Sequence, residues 1–192
     1  MRKMITVKIN GEERQYPQGA TYEDVANDYQ QEYENLIALA ARDGKIRELF
    51  KKLTRDCEVT FFTLKDDVGN KTYVRSATML FLKAVFDVYG REAAQSCRVE
   101  FAIGNGSYIS PKEKINATEE NAAKIRNQMR ELVEAKTPFL KRSYSLDNAM
   151  ELFRKEGMKD KEKLFRYRRG SFVNIYEMDG YYDYYYGYML PN

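Results

Sequence analysis

The N-terminal part of the chain carries an alternating apolar pattern that ends at a hairpin turn. Ile5, Val7 and Ile9 alternate with polar residues. Asn10-Gly11 follows directly. Alternation with a period of two places one face of a strand in a core, and Asn-Gly supplies the two left-handed positions of a tight turn. We therefore predict that the chain begins with a β-hairpin, in which Glu12–Tyr16 pairs back on the first strand.

The residues after this hairpin complete a small domain. Thr21 is placed as the N-cap of a short helix whose apolar face carries two aromatic and two aliphatic side chains. Leu36–Ala41 and Cys57–Leu64 are predicted as strands, the first followed by a turn at Arg42-Asp43-Gly44. The order β-β-α-β-β predicts a ubiquitin-like β-grasp domain over residues 1–64. The helix face consists of Tyr22, Val25, Ala26 and Tyr29.

A second, larger domain is predicted for residues 65–192. We place the boundary in the polar stretch Lys65–Asn70, which contains Gly and Asn. The mixture of helical and strand patterns predicts an α+β fold. Its first predicted elements are a helix over Ala77–Tyr89, which ends at Gly90, and two strands, Val99–Ile103 and Ser107–Ile109, joined by a turn at Gly104-Asn105-Gly106. A helix that begins at Asn116 follows, with Ile125, Met129, Leu132 and Val133 on one face. The last predicted elements are a strand over Pro138–Tyr144, a helix from Ser145 to Gly157, and a hairpin in which Ser171–Met178 and Tyr181–Met189 are joined at Asp179-Gly180.

The composition excludes several classes of chemistry. The 192 residues contain no His, which is the usual general base and the commonest metal ligand. A His-dependent triad or zinc site is therefore excluded, and we expect no cofactor and no bound metal. Cys57 and Cys97 form no Cys-x-x-Cys pair and are expected to be reduced. Because the sequence shows neither a membrane-spanning apolar run nor a signal-peptide core, we expect a cytoplasmic protein without membrane contact.

Basic residues are concentrated between Arg154 and Arg169, where eight cations face three acidic residues. Phe165 and Tyr167 are interleaved with them. This composition suits an RNA backbone contact with aromatic stacking on bases. It equally suits a solvated helix face with ion pairs four residues apart. The candidate nucleic-acid contacts are Lys159, Lys161, Lys163, Arg166, Arg168 and Arg169.

The C-terminal segment Tyr181–Tyr188 contains six tyrosines. If this segment is a strand, Tyr182, Tyr184, Tyr186 and Tyr188 share one face. Aromatic pairs on both faces of a sheet would explain the pattern, and a wall that stacks nucleobases is the alternative.

Two motifs resemble the threonyl-tRNA synthetase family. Arg75–Leu80 reads Arg-Ser-Ala-Thr-Met-Leu where that family has His-Ser-x-x-His-Leu. Asp183–Asn192 begins Asp-Tyr-Tyr-Tyr-Gly-Tyr-Met-Leu-Pro where the family has Asp-x-Cys-x-Gly-Pro-His-x-Pro. By this resemblance, residues 1–64 correspond to the family's TGS domain, a β-grasp module. Residues 65–192 correspond to its second additional domain, the editing domain.

The functional residues of that family are replaced here. The resemblance implies a pocket that edits mischarged tRNA or, in alanyl relatives, holds zinc, but its four positions read Arg75, Met79, Tyr185 and Met189. We therefore expect that the editing activity is lost. Either the cleft is retained and binds a planar anion at Arg75, or the methionines fill it and Arg75 pairs with Asp183. The candidate ligand site consists of Arg75, Met79, Tyr108, Asp183, Tyr185 and Met189.

The combination of a TGS module with a degenerate editing-like domain also resembles the N-terminal region of bacterial uridine-kinase-like proteins. In those proteins a P-loop nucleoside kinase domain follows, so we expect such a domain beyond Asn192 in a longer protein. The leading interpretation is a non-catalytic regulatory or ligand- and RNA-binding region, with tRNA or a small anion as partner. The alternatives are a synthetase-type fragment that handles aminoacyl-tRNA and a structural module.

Overall fold

A computed structural model describes residues 3–104, 106–112 and 114–192. The chain forms two compact units. Unit 1 comprises Met1–Ala77 and Tyr186–Pro191, and unit 2 comprises Thr78–Tyr185 with Asn192. Residues of one long helix therefore belong to both units. The division into domains at residue 64 stays a prediction.

Unit 1 contains a mixed five-stranded sheet in the order β2-β1-β5-β3-β4. Strands β1 and β5 are parallel, and the other neighbours are antiparallel. This sheet, with its helices, confirms the predicted α+β class. The elements are β1 (Met4–Ile9), β2 (Glu12–Pro17), α1 (Tyr22–Tyr29), a 3₁₀ turn (Gln30–Glu32), β3 (Ile37–Arg42), β4 (Lys45–Glu48), β5 (Cys57–Thr63) and the first part of α2 (Asp67–Tyr89).

Local signals place most of unit 1 correctly. Asn10 and Gly11 both have positive φ, as the tight turn requires. Thr21 caps α1 in a reciprocal arrangement with Asp24, and the predicted apolar face of α1 is buried. Strand β4 is not predicted from the sequence, because Lys45–Glu48 contains one apolar residue and becomes a strand only by pairing with β3.

Helix α2 begins at Asp67, earlier than the predicted Ala77. Most of the polar stretch in which the boundary was placed, Asp67–Asn70, is the start of this helix, and Lys65 and Asp66 form the turn before it. The Asp66 carboxylate accepts from the Thr63 amide at 2.7 Å, and the Asn70 amide donates to the Asp66 carbonyl at 2.8 Å. Polar residues are favoured in such a first turn because they satisfy backbone groups there.

Unit 2 contains the rest of α2, a three-stranded antiparallel sheet in the order β10-β9-β8 and a separate two-stranded hairpin. Among the described residues, no helix combines the length and the apolar character that crossing a membrane requires. The remaining elements are α3 (Arg91–Ser96), β6 (Arg98–Ile103), β7 (Gly106–Ser110), α4 (Glu119–Glu134), β8 (Leu140–Ser145), α5 (Leu146–Lys155), α6 (Lys159–Arg166), β9 (Phe172–Met178) and β10 (Tyr181–Asp183).

Two details of the predicted helices in unit 2 are corrected. The N-cap of α4 is Thr118, not Asn116, because the Thr118 hydroxyl accepts from the Asn121 amide. Val133 is 53% exposed, whereas Ile125 and Leu132 are buried. The predicted cap of α5 at Ser145 is confirmed. The central residue of the predicted turn between β6 and β7, Asn105, lies outside the described residues.

The last strand ends at Asp183 instead of continuing to Met189. The Tyr184 amide donates to the Asp183 carboxylate at 2.6 Å, so it does not extend the ladder with β9. Gly187 has a φ of 133°, which turns the chain further out of a strand path. The predicted alternation of tyrosines through Tyr188 on two faces of one strand is therefore wrong.

Candidate ligand cleft

Arg75 is held by the C-terminal segment within unit 1. Its Nη1 donates to the Tyr188 carbonyl oxygen at 2.5 Å. A Cβ built on Gly187 would lie 2.6–2.9 Å from the guanidinium atoms, closer than real Cβ atoms approach. Glycine at position 187 therefore lets the backbone pass directly across the guanidinium, in addition to providing the positive φ.

The last residues of the C-terminal motif make structural contacts within unit 1. The Ser76 hydroxyl donates to the Thr72 carbonyl and accepts from the Leu190 amide, both at 2.9 Å. The Met189 amide donates to the buried Glu48 carboxylate at 3.3 Å, and the Met189 side chain is fully buried. Met189 thus anchors the segment to the sheet of unit 1 through both backbone and side chain.

Unit 2 contains an open cleft of about 550 Å³. Its walls come from α2, α3, the start of β6, the first turn of α6 and the end of β10. Side chains of both charges line it together with apolar ones. The lining residues are Thr78, Leu82, Ala94, Gln95, Cys97, Arg98, Val99, Glu100, Gly157, Met158, Lys159, Asp160, Lys161, Tyr181, Asp183 and Tyr185.

An ion pair between a partly buried lysine and a buried aspartate lies at this cleft. Lys161 Nζ is 3.0 Å from Asp183 Oδ1, and the Asp183 side chain is 6% exposed. The same carboxylate accepts the Tyr184 amide, so it is satisfied by one cation and one backbone donor. The Lys161 ammonium has three protons, and the Asp160 carboxylate is 4.0 Å away. Lys161 can therefore donate to a ligand while it remains paired with Asp183.

The Tyr185 hydroxyl is the second notable group in the cleft. Among the described residues, its buried oxygen has no partner that meets hydrogen-bond geometry, although it lies beside the Asp183 carboxylate. Burial, and then the nearby Asp183 charge, raise the pKa of Tyr185 well above its ordinary value. Tyr185 is therefore neutral at physiological pH and offers a proton donor.

The structure brings two of the six predicted ligand-site residues, Asp183 and Tyr185, together in this cleft. Arg75 and Met189 belong to unit 1, and Met79 is fully buried in unit 2. Tyr108 is half-exposed on β7, where its ring stacks on Phe101 at a centroid distance of 5.3 Å. Asp183 pairs with Lys161, and Arg75 donates to the Tyr188 carbonyl; the predicted Arg75–Asp183 pair stays a prediction. A ligand-binding role for these residues stays a prediction.

Several cleft residues are not predicted from the sequence, including Gln95, Cys97, Arg98 and Glu100. They follow one another along the chain, but no motif marks them, and only the fold brings them beside Asp183. Burial raises the pKa of the Cys97 thiol, so it is protonated at neutral pH and is a poor nucleophile. Within the described ranges, no cluster of three or more acidic or Cys side chains is arranged to hold a metal ion.

The cations of the basic segment differ in their partners and in their exposure. Lys161 turns toward Asp183 in the cleft. Arg166 pairs with Glu162 at 3.2 Å, and Arg168 lies over the Tyr184 ring at 5.3 Å and donates to its hydroxyl. The exposed cations of the segment are Arg154, Lys155, Lys159, Lys163, Arg166, Arg168 and Arg169. Nucleic-acid contact at these residues stays a prediction.

About 90% of the chain is similar, at about 27% identity, to the N-terminal region of threonyl-tRNA synthetases. The threonine–tRNA ligase of Thermotoga maritima is 28% identical over 184 residues, which cover 89% of this chain and 28% of the ligase. The ligase of Maricaulis maris is 26% identical over 191 residues, covering 98% of this chain and 29% of the ligase. No family model matches the chain.

These similarities refine the interpretation in two ways. The chain spans 28% of the length of the Thermotoga maritima ligase. Similarity to the N-terminal region of threonine–tRNA ligases is established. The resemblance to uridine-kinase-like proteins is not supported. The relatives found are threonine–tRNA ligases, and the kinase interpretation stays a prediction that they do not support.

Proposed function

We propose that the chain is a non-catalytic ligand- and RNA-binding region related to the N-terminal region of threonine–tRNA ligases. In this proposal residues 1–64 are a TGS-like β-grasp domain and residues 65–192 an editing-like domain. The observation that carries it is the placement of α6. Its first turn directs Lys161 into the cleft, and the residues that follow present exposed cations on the same unit.

The cleft supports binding of a small charged group. Lys161 retains ammonium donors, and Tyr185 supplies a buried neutral hydroxyl. Leu82, Val99 and Met158 provide apolar wall. We propose that the bound group is an anion such as a carboxylate or a phosphate, because Lys161 and Tyr185 both donate to anionic oxygen. Glu100 and Asp160 on the rim favour a ligand that also carries donors.

The proposal of a non-catalytic role depends on the protonation of the cleft residues. General-base catalysis works best with a group whose pKa lies near the working pH. The pKa values of Tyr185 and Cys97 are both raised, which keeps these groups protonated at neutral pH. Asp183 is occupied by Lys161 and the Tyr184 amide. The positions matching the family's His and Cys carry Arg75, Met79, Tyr185 and Met189.

We therefore expect the chain not to hydrolyse seryl-tRNA. The release of serine from seryl-tRNA should follow the same time course with the protein and in buffer alone, and metal analysis should find no stoichiometric zinc. Deacylation well above the buffer rate would instead support the second candidate, a fragment that processes aminoacyl-tRNA. That candidate is favoured by the similarity to threonine–tRNA ligases.

RNA binding should depend strongly on salt. Each neutralised phosphate releases counterions, so the logarithm of the tRNA association constant should fall steeply as salt rises. Replacing Lys163, Arg166 and Arg169 by glutamine should reduce this slope by about 0.7–0.9 per residue. Fluorescence anisotropy with labelled tRNA measures both effects.

The matched control neutralises cations on another helix of the same unit. Lys124 and Arg126 on α4 are exposed and paired with Glu120 and Glu119. Replacing them by glutamine should leave the salt slope unchanged. Absent or salt-independent tRNA binding at low ionic strength would show that the basic segment is a solvated face. A kinase domain beyond Asn192 stays a prediction without support from the relatives.

A further inference from the structure

A buried carboxylate ties α3 to the turn between α5 and α6. Glu156, the residue after α5, is 7% exposed. Its Oε2 lies 2.7 Å from Arg91 Nη1 on α3. Its backbone carbonyl accepts the side-chain amide of Gln95, one turn further along α3. Two side chains of α3 therefore hold one residue of the turn, one through its charge and the other through its backbone.

The turn itself leaves little freedom between Glu156 and α6. The Glu156 amide closes the last turn of α5 on the Leu152 carbonyl. Gly157 has a φ of 76°, and a Cβ there would lie 3.3–3.4 Å from the Gln95 amide group. The Met158 amide donates to the Phe153 carbonyl at 2.8 Å, and α6 starts at the next residue. Contacts with α3 therefore fix the position of the first turn of α6.

Lys161 lies in that first turn, and its pair with Asp183 requires the observed placement of α6. We propose that Glu156, Arg91 and Gln95 are positioning residues that hold Lys161 on Asp183 and so shape the cleft. Without Arg91 the Glu156 carboxylate would be buried and unpaired, which is costly, so the turn would move to expose it. This inference rests on the proposed function only in treating the cleft as a ligand site.

The test reads the environment of Lys161 directly and uses neither RNA nor a cleft ligand. The folded chain is treated briefly with an amine-acetylating succinimidyl ester, and each lysine is quantified by peptide mass spectrometry. In the native chain Lys161 should react up to roughly fivefold more slowly than exposed Lys159 and Lys163, because its ammonium is ion-paired and partly buried. In Arg91→Met this protection should disappear.

Conservative variants distinguish a positioning role of these residues from a general loss of stability. Arg91→Lys keeps a cation for Glu156 and should retain the protection of Lys161. Gln95→Met removes only the bond to the Glu156 carbonyl and should reduce protection even if Arg91→Met does not fold. Full protection of Lys161 in folded Arg91→Met or Gln95→Met would overturn the inference. So would equal loss of protection in Arg91→Lys and Arg91→Met. Failure of RNA binding alone would affect only the proposed function.

Discussion

Replacing Gly69 by alanine should destabilise the protein by about 3 kcal/mol, although alanine normally stabilises a helix by about 1 kcal/mol relative to glycine. Gly69 is buried in the first turns of α2. A Cβ there would lie 2.0 Å from the Thr63 carbonyl oxygen and 2.8 Å from its carbonyl carbon. Because these are backbone atoms, the clash cannot be relieved by rotating a side chain. Either α2 or the end of β5 must move.

The control is the next residue on the same helix. Asn70 is exposed, so Asn70→Ala should keep or slightly raise stability through helix propensity alone. Urea unfolding followed by circular dichroism gives the free energy of unfolding for both variants. A Gly69→Ala protein as stable as the native chain would mean that the close approach of α2 and Thr63 is wrong.

The second large effect is expected at Lys83, whose side chain is 2% exposed. Its Nζ lies 2.7 Å from Asp87 Oδ1 and donates to the Asp179 carbonyl at 2.8 Å and the Asp179 carboxylate at 3.1 Å. Lys83→Ala removes the buried stem and leaves the Asp179 carbonyl without this donor. Together these losses should lower the free energy of unfolding by about 3 kcal/mol.

Lys71 provides a matched control on the same helix. It also pairs with an aspartate four residues away, with Lys71 Nζ 2.6 Å from Asp67 Oδ2, but both side chains are well exposed. Exposed pairs at this spacing contribute about 0.3–0.5 kcal/mol, so Lys71→Ala should cost little. Equal unfolding free energies for the two alanine variants would show that burial does not strengthen the Lys83 interactions.

The turns and helix caps could be predicted from the sequence because each depends on residues that are close in the chain. Asn10-Gly11 forms its turn through the backbone freedom of those two residues. Thr21 and Ser145 cap helices by accepting an amide three residues ahead. Asp179 and Gly180 adopt the positive φ values that the hairpin between β9 and β10 requires.

The ends of elements were harder to predict when a side chain competed with the regular pattern. The tyrosine-rich segment alternates like a strand, yet the Asp183 carboxylate captures the Tyr184 amide and β10 stops. The polar residues before Gly69 suggested a loop, yet they form the start of α2. In both places a local hydrogen bond outweighs the pattern of apolar residues, and the pattern alone carries no information about that bond.

By itself the sequence determined the α+β class, the local turns and the absence of imidazole chemistry. Only the tertiary structure decided which charges meet. Lys161 pairs with Asp183, Arg91 with Glu156 and Lys83 with Asp179, and in each case a long stretch of chain lies between the partners. Many cations and carboxylates alternate along the sequence, so spacing cannot select among them. The packing of the helices and strands makes that selection, because it buries a few of these charges beside particular partners.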